Sequence, residues 1–507
     1  MVFNIIVLVL YILVIAAIAY YSRNKSKTTD QFILAGRGMG GWMSAFAYGT
    51  TYFSAVVFVG YAGKFGSSWG LAAVWVGIGN ALIGSYLAWK LFAKRTRNIT
   101  NYLNVNTMPG YFEKRYDNKY LKLISAIIIF VFLLPYSASV YQGIGEIFTI
   151  AFKIDFIWCI VIMAVLTALY VFFGGYAGTA LTNFVQGIIM AIGVVIMIIV
   201  FMTQPQTGFA GLKELSEQGM GLFPQGGGPG LLDAKWFNLI IIILLTSCGV
   251  LALPQVIHKY YAVKSGDAVK KATLVATLFA LLIGGGAYFM GSLSTRLIDT
   301  SSMKPDVIIP TILEKIMPAG LLGLVVVLLL SASMSTLSSM AITGASSVAV
   351  DIYKGYVKKE APDKKVNILL KVLSLVFIVI SALLAILKVE AIVAMMSLSW
   401  GTLAGCFIGP YIYGLYSKKI TSKAAMASLI AGVAVTVILV AVFGIMYPSP
   451  DAGGVWAVIK GGVGRSPLIG VVAMAVSMII TPVVSAFTKK PDAGKVGKMF
   501  ENINTEF

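Results

Sequence analysis

Charge is scarce in this chain, and so are the residue types on which most enzyme chemistry depends. Of 507 residues only 12% are Asp, Glu, Lys or Arg, against 58% hydrophobic, whereas a soluble domain is about a quarter charged. There is one histidine, His258, and there are three cysteines, Cys159, Cys248 and Cys406, all in apolar runs and at no paired spacing. Neither a disulfide frame nor a metal site is implied. An intramembrane enzyme needs a nucleophile with its base, a facing pair of acids or a set of metal ligands, and the apolar runs hold no second histidine and no facing acid pair. No soluble domain is expected, since the longest stretches outside the apolar runs are 94–120, 204–235 and the tail after 488.

What is abundant is hydrocarbon-compatible sequence, with a mean hydropathy of +0.89. Runs long enough to cross a bilayer core of about 30 Å fall at 3–22, 42–63, 70–93, 121–150, 155–174, 180–203, 236–257, 272–295, 318–350, 366–387, 389–415, 422–447 and 466–487. Thirteen spans put the termini on opposite sides. The net charge of +19 raises nucleic acid as a partner, but the distribution of basic residues answers otherwise. With the N-terminus outside, 29 of the 39 Lys and Arg fall on the inner side, among them Arg23, Lys25, Lys27 and Arg37 after the first run and Lys489, Lys490, Lys495 and Lys498 in the tail. The positive-inside rule therefore sets the N-terminus outside and the C-terminus in the cytoplasm of a plasma-membrane protein. Basic charge here marks topology in a lipid bilayer, with no nucleic acid as partner. The first run lacks a basic leader and a small-residue cleavage site, so it is expected as a retained helix.

The outer stretch 204–235 contains Phe223-Pro224-Gln225-Gly226-Gly227-Gly228-Pro229-Gly230, a flexible connector between two halves. Setting aside the first span and the last two, five helices lie on each side of it, and an odd number per half gives the halves opposite orientations. The first span of each half is interrupted. Tyr48-Gly49-Thr50-Thr51-Tyr52-Phe53-Ser54 sits within 42–63, and Thr246-Ser247-Cys248-Gly249 is followed by Pro254 within 236–257. Taken singly each is an ordinary kink; at matching positions they mark discontinuous helices around a binding site at the membrane midplane.

A third feature is Ser331-Ala332-Ser333-Met334-Ser335-Thr336-Leu337-Ser338-Ser339, with six hydroxyls in nine residues and no charge. Ala332, Ser335, Thr336 and Ser339 share one helix face. Small-residue stripes commonly pack helices together, and Ser and Thr hydroxyls commonly bond the carbonyl one turn earlier. Spacing alone leaves packing and ion coordination both open.

The ordered set of Phe32-Ile33-Leu34-Ala35-Gly36-Arg37; Thr51-Tyr52-Phe53-Ser54-Ala55 with Gly60; Phe173-Gly174-Gly175 and Thr182-Asn183-Phe184-Val185-Gln186; Pro254-Gln255 with Lys259; Met334-Ser335-Thr336-Leu337-Ser338 with Asp351-Ile352-Tyr353; and Trp400-Gly401 resembles the sodium:solute symporter family. That family includes bacterial proline, pantothenate and sialic acid symporters and the sodium–glucose cotransporters. The resemblance implies an all-α, leucine-transporter-type inverted repeat of five plus five helices, with one extra N-terminal and two extra C-terminal helices. The expected organisation is one membrane domain over 1–507: a peripheral first helix and loop at 1–30, repeats at 40–203 and 236–415, two helices at 422–488 and a cytoplasmic tail at 489–507.

The resemblance also implies a sodium site made by the carbonyls of Thr50, Phe53 and Ala332 and the hydroxyls of Ser335 and Thr336. A hard monovalent cation wants several uncharged oxygens, and an unwound backbone facing a hydroxyl-bearing helix supplies them. Ser338 and Ser339 suggest a second ion, but relatives with two sodium ions carry an acid where this chain has Asn183, so one Na⁺ per cycle is expected. No organic cofactor is implied. Substrate candidates around the midplane are Tyr52, Ser54, Tyr136, Ser139, Tyr141, Gln142, Cys248, Gln255, Ser399 and Trp400. Glu146 stands where relatives that bind carboxylates often have Arg; it either meets an ammonium or a proton or lies idle at the outer interface. His258 and Lys259 are expected at the inner interface, in water, with a proton relay or gate as the alternative, and Asp351 is expected to pair with an inner-loop base or cap a helix junction, with a gate role secondary. The function expected is sodium-coupled uptake of a small organic solute by alternating access. Amino acid, monocarboxylate, vitamin and sugar remain open as solute classes, and so does the oligomeric state. The nearest alternative is a proton-coupled transporter of the same fold, and a channel is a further one.

Overall fold

The computed structural model describes residues 2–22, 27–228, 230–388 and 390–504; Arg23, Lys25, Pro229 and the end of the tail lie outside the described residues. Hydrocarbon offers no partner to a peptide N–H or C=O, so a chain this apolar closes its backbone bonds within helices. Among the described residues there is no strand beyond two isolated bridges, Met39 with Val263 and Gly227 with Ala234. Among the described residues, eleven helices are long and apolar enough to cross a membrane. The thirteen apolar runs become eleven because Val57–Tyr102 takes in parts of two and Phe156–Met202 takes in two more. Each of these long stretches contains a glycine in a backbone conformation no helix uses: Gly70 at φ 61, ψ −138 and Gly175 at φ 52, ψ −157.

The elements that build the site are α1 (Val2–Ser22), α2 (Gly41–Tyr52), α3 (Val57–Gly66), α4 (Lys119–Phe152), α5 (Phe156–Met202), α6 (Lys235–Gly249), α7 (Pro254–Tyr261), α8 (Ala319–Ser346), α9 (Ile392–Tyr416) and α10 (Ser466–Ala486). Burial sorts them. In α9, 94% of the membrane-length window is buried, against 22% in Phe3–Ser22 and in Ser422–Met446, so α9 is interior and the other two are rim. The rim helices turn large apolar side chains outward, such as Leu10, Leu13, Val437 and Ile438. In water that would be an aggregating face; in a bilayer it is the lipid contact. Helices in lipid gain little from hydrophobic exclusion and pack by close approach of small residues. α9 and α10 do so at Gly401 and Gly470, where a Cβ on Gly470 would lie 2.6 Å from the Gly401 Cα.

Both spans expected to be discontinuous are so. α2 stops at Tyr52; Phe53 is extended at φ −103, ψ 111, and helix resumes at Ala55 before widening into the π-form of α3. Local chemistry explains the stop. The Thr50 and Thr51 hydroxyls bond back to the carbonyls of Phe46 (2.8 Å) and Ala47 (2.7 Å), and Ser54 Oγ accepts from the Val56 N–H at 3.3 Å, starting the next helix. α6 passes through a 3₁₀ turn, Val250–Ala252, to Leu253 at φ −76, ψ 122, and α7 restarts at Pro254. Proline forces its predecessor out of helix and fits a first turn, where no N–H is required.

The α9–α10 contact admits a direct check. Gly470→Leu must push apart backbones that are in contact, and overpacking of this kind costs about 1–3 kcal/mol. Its melting temperature in detergent is expected several degrees below the parent, as read by tryptophan fluorescence; an unchanged melt would contradict the contact.

Candidate functional site

α2 and α8 meet along one buried seam, and the break in α2 sets its chemistry. Ser335 Oγ lies 2.9 Å from the Thr50 carbonyl, 2.9 Å from that of Ser331 and 3.0 Å from that of Ala332. Thr336 Oγ1 lies 3.1 Å from the Thr50 carbonyl, 3.1 Å from that of Ala332 and 3.3 Å from that of Thr51. All of these residues are fully buried. Two hydroxyl hydrogens thus face four carbonyl oxygens. The carbonyls of Ser331 and Ala332 lie within α8, where the backbone N–H one turn on also serves them, whereas those of Thr50 and Thr51 at the end of α2 are met by hydroxyls alone; lone pairs left over in this way are what a cation relieves, and no group of three or more His, Cys, Asp or Glu residues suited to a metal occurs among the described residues. Uncharged oxygens in this number suit a hard monovalent ion. Phe53 lies at the break itself, where extended backbone turns its carbonyl out of the helical ladder. The carbonyl of Thr51 also joins the seam, an oxygen that the sequence did not single out.

The residues considered for a second ion are arranged differently. The hydroxyls of Ser338 and Ser339 donate to the Ser335 carbonyl at 3.0 and 2.9 Å. Asn183 is buried with neither amide atom bonded, so no hydrogen bond joins it to either serine. Ser339 instead meets Lys259, whose Nζ donates to Ser339 Oγ at 2.9 Å, and the Thr51 hydroxyl, also at 2.9 Å. This corrects the placement of His258 and Lys259 in water: they are 5% and 2% exposed. The reason is the break. α7 begins inside the protein at Pro254, so residues one turn on remain interior.

On the other side of the α2 break, aromatic residues from three helices converge. The Trp400 ring (α9) lies 5.9 Å from Tyr52 (α2) and 5.6 Å from Tyr136 (α4), and Tyr52 stacks on Phe53 at 4.4 Å. The Tyr52 hydroxyl donates to the Thr246 carbonyl of α6 at 2.8 Å. A Cβ built on Gly249 would lie 3.9 Å from Trp400, so the end of α6 faces the same cluster. Buried there or nearby without a hydrogen-bond partner are Tyr136 Oη, Trp400 Nε1, and both amide atoms of Gln255 just past the second break. Ser54 is buried at the first break and Cys248 is half-buried on α6. Ser139 and Ser399 have committed their hydroxyls, the former to the Tyr136 carbonyl at 2.7 Å and the latter to the Phe132 carbonyl. Tyr141 lies about 140° around the helix from Tyr136, and it and Gln142 are buried with Tyr141 Oη and Gln142 Oε1 unbonded.

At the end of the bundle that holds Arg37 and Asp351, segments distant in sequence are tied by polar side chains. Arg97 donates to the carbonyls of Val263 (2.9 Å) and Lys264 (2.7 Å), and Arg37 to the Val105 carbonyl (2.6 Å). Asp351 is fully buried and accepts from the Thr107 hydroxyl at 2.7 Å, with the Lys122 charge near enough to act on it. The available signal was Asp351 itself, an acid within the matched motif. At the opposite end, Glu146 pairs with Lys388 at 2.7 Å, and the lysine is half-exposed.

Two interrupted helices, one of them lining a carbonyl-rich seam against the continuous α8, inside an all-helical membrane bundle, are the components of a secondary transporter. The sodium:solute symporter family model matches residues 32–432, and the chain belongs to that family. It is a membrane transporter of sodium-coupled type and not an enzyme. Among curated relatives, the sodium/proline symporter 2 of Staphylococcus saprophyticus is 26% identical, covering 96% of this chain and 93% of that protein. The osmoregulated proline transporter OpuE of Bacillus subtilis is 28% identical, covering 95% and 94%. A solved structure of a Na⁺-coupled sialic acid symporter, substrate-bound and outward-open, superposes with a TM-score of 0.75 at 18% identity, over 97% of this chain and 99% of that one; at that identity it shows a common fold.

The Glu146–Lys388 contact generates a prediction. Partly exposed ion pairs contribute about 0–1 kcal/mol, so Glu146→Gln is expected to change the solute half-saturation by no more than about twofold. A tenfold loss of apparent affinity, measured by tracer uptake, would give Glu146 a role in binding.

Proposed function

We propose that this protein carries a small zwitterionic solute, with L-proline as first candidate, into the cell together with one sodium ion. Supporting the solute class are the two proline-transporting relatives aligned over nearly the whole chain and an aromatic cluster bearing unbonded polar atoms beside the breaks. The coupling site rests on one observation above the others, the excess of carbonyls over hydroxyl hydrogens around Ser335 and Thr336. We assign sodium to the carbonyls of Thr50, Phe53 and Ala332 and the hydroxyls of Ser335 and Thr336. A single ion per cycle follows from Asn183, which brings no charge and bonds neither Ser338 nor Ser339.

Thirteen crossings fit this assignment, with the positive-φ glycines Gly70 and Gly175 marking reversals between consecutive spans. A straight 47-residue helix over Phe156–Met202 would be about 70 Å long, more than twice the hydrocarbon thickness. The repeats are then 40–203 and 236–415, with the N-terminus outside and the C-terminus in the cytoplasm. The mechanism is linkage. Sodium holds α2 against α8, the state so stabilised presents the aromatic cluster to solute, and solute in turn tightens sodium.

The test is uptake of labelled L-proline into proteoliposomes, with choline replacing sodium at fixed pH. Ser335→Ala and Thr336→Ala each remove one ligand oxygen and are expected to raise the sodium half-saturation about tenfold, near the effect of losing a hydrogen bond to a charged group. Wild-type sodium dependence in both variants would remove the site. Current measured alongside flux is expected to give one positive charge per proline; two would overturn the stoichiometry. Uptake that persists in choline and follows pH would point to proton coupling.

A further inference from the structure

The seam between α2 and α8 holds a second positive group, and this one belongs to the chain itself. Ser339 lies four residues beyond Ser335, or about 6 Å further along α8. There Lys259 Nζ, arriving from α7, donates to Ser339 Oγ at 2.9 Å, and Ser339 Oγ meets the Thr51 hydroxyl at 2.9 Å. The ammonium also lies over the face of Tyr176, 4.9 Å from the ring centre, so serine and tyrosine, both uncharged, are what it touches. Thr51 reaches both levels: its carbonyl is 3.3 Å from Thr336 Oγ1 in the proposed sodium site, and its hydroxyl is in the lysine's network. Lys259 is 2% exposed, so water does little to screen it.

We propose that the Lys259 ammonium is a built-in cation that limits sodium affinity. A sodium ion held by Thr50, Ala332, Ser335 and Thr336 would lie about one helical turn from this tethered ammonium. In the effective dielectric of buried protein sites, charges so spaced weaken binding by about tenfold or more. The repulsion keeps a deeply buried ion exchangeable, so that it can leave on the inner side. This inference rests on the sodium assignment proposed above.

The sign of the effect separates this role from a structural one. A lysine that merely braces α7 against α8 would, when lost, weaken sodium binding or leave it unchanged. An electrostatic limiter, when neutralised, strengthens it. Equilibrium binding of ²²Na⁺ to the purified full-length protein, at constant ionic strength in choline chloride and without solute, measures this directly. Lys259→Met is expected to bind sodium about tenfold more tightly than wild type, while Lys259→Arg, which keeps the charge, stays within about twofold. Lys259→Gln repeats the neutral test should the methionine variant fail to give a monodisperse, cooperatively melting protein. Sodium binding in the neutral variants that equals or falls below wild type overturns the proposal. Ser335→Ala keeps the two inferences apart. If it binds sodium as wild type does, the sodium assignment fails; if it loses sodium while Lys259→Met and wild type match, only the role of Lys259 fails.

Discussion

A helix that stops inside hydrocarbon leaves carbonyls without the N–H groups that would have followed, and no water is at hand to take their place. In this protein that constraint governs the site. α2 ends at Tyr52, the carbonyls of Thr50 and Thr51 turn to α8, and α8 answers with hydroxyls in place of methyl groups. The hydroxyls are too few to satisfy every oxygen, and the deficit makes the seam a place for an ion. The second interruption, at Leu253, uses proline chemistry in place of hydroxyl chemistry and starts a short helix inside the bundle whose last turn carries Lys259. Both breaks border the aromatic cluster of Tyr52, Tyr136 and Trp400, so the proposed ion and solute sites share backbone.

Much of this is legible in the sequence because it consists of exceptions to apolarity. Hydroxyls at Ser331 to Ser339, glycine and threonine at 49–51 and Pro254 all stand out against an otherwise uniform background, and each maps onto an interruption or a polar seam. Less legible is depth. Sequence puts Lys259 and His258 in water because their apolar run ends there, yet α7 starts only a few residues earlier, inside the protein. Asp351 gives a related lesson: charge at the end of an apolar run suggests an interface, whereas the helical stretch continues through Ser347–Val357 and buries it against Thr107. Pairings between distant segments, such as Arg97 with Val263 and Lys264, have no sequence signal because they use carbonyls, which every residue has. The span count is obscured as well. Runs that the sequence separates at 63–70 and 174–180 join into long helical stretches in the structure, interrupted at the dihedral angles of Gly70 and Gly175.

Thr51 joins two kinds of cation chemistry through one residue. Its carbonyl belongs to the proposed exchangeable ion and its hydroxyl to the tethered one. A change in the tilt of α2 therefore cannot alter one level without the other, and α7 is drawn in through Lys259. The ties made by Arg37, Arg97 and Asp351 lie just beyond the ends of α2, α7 and α8.

The first helix, which belongs to neither half, also reaches this region. Gln186 Nε2 donates to the Tyr11 hydroxyl at 2.7 Å, and that hydroxyl contacts Met334 Sδ at 3.7 Å; the Tyr170 hydroxyl holds the Met334 carbonyl. Met334 immediately precedes Ser335. A rim helix that faces lipid along most of its length thus has one fingertip on the residue next to the proposed ion ligand Ser335. Any displacement of α8 must either carry α1 as a passenger or break its grip at Tyr11. The lipid surrounding α1 would then be felt as drag or as slack in the transport cycle, giving bilayer thickness and fluidity a mechanical route to a site from which lipid is excluded.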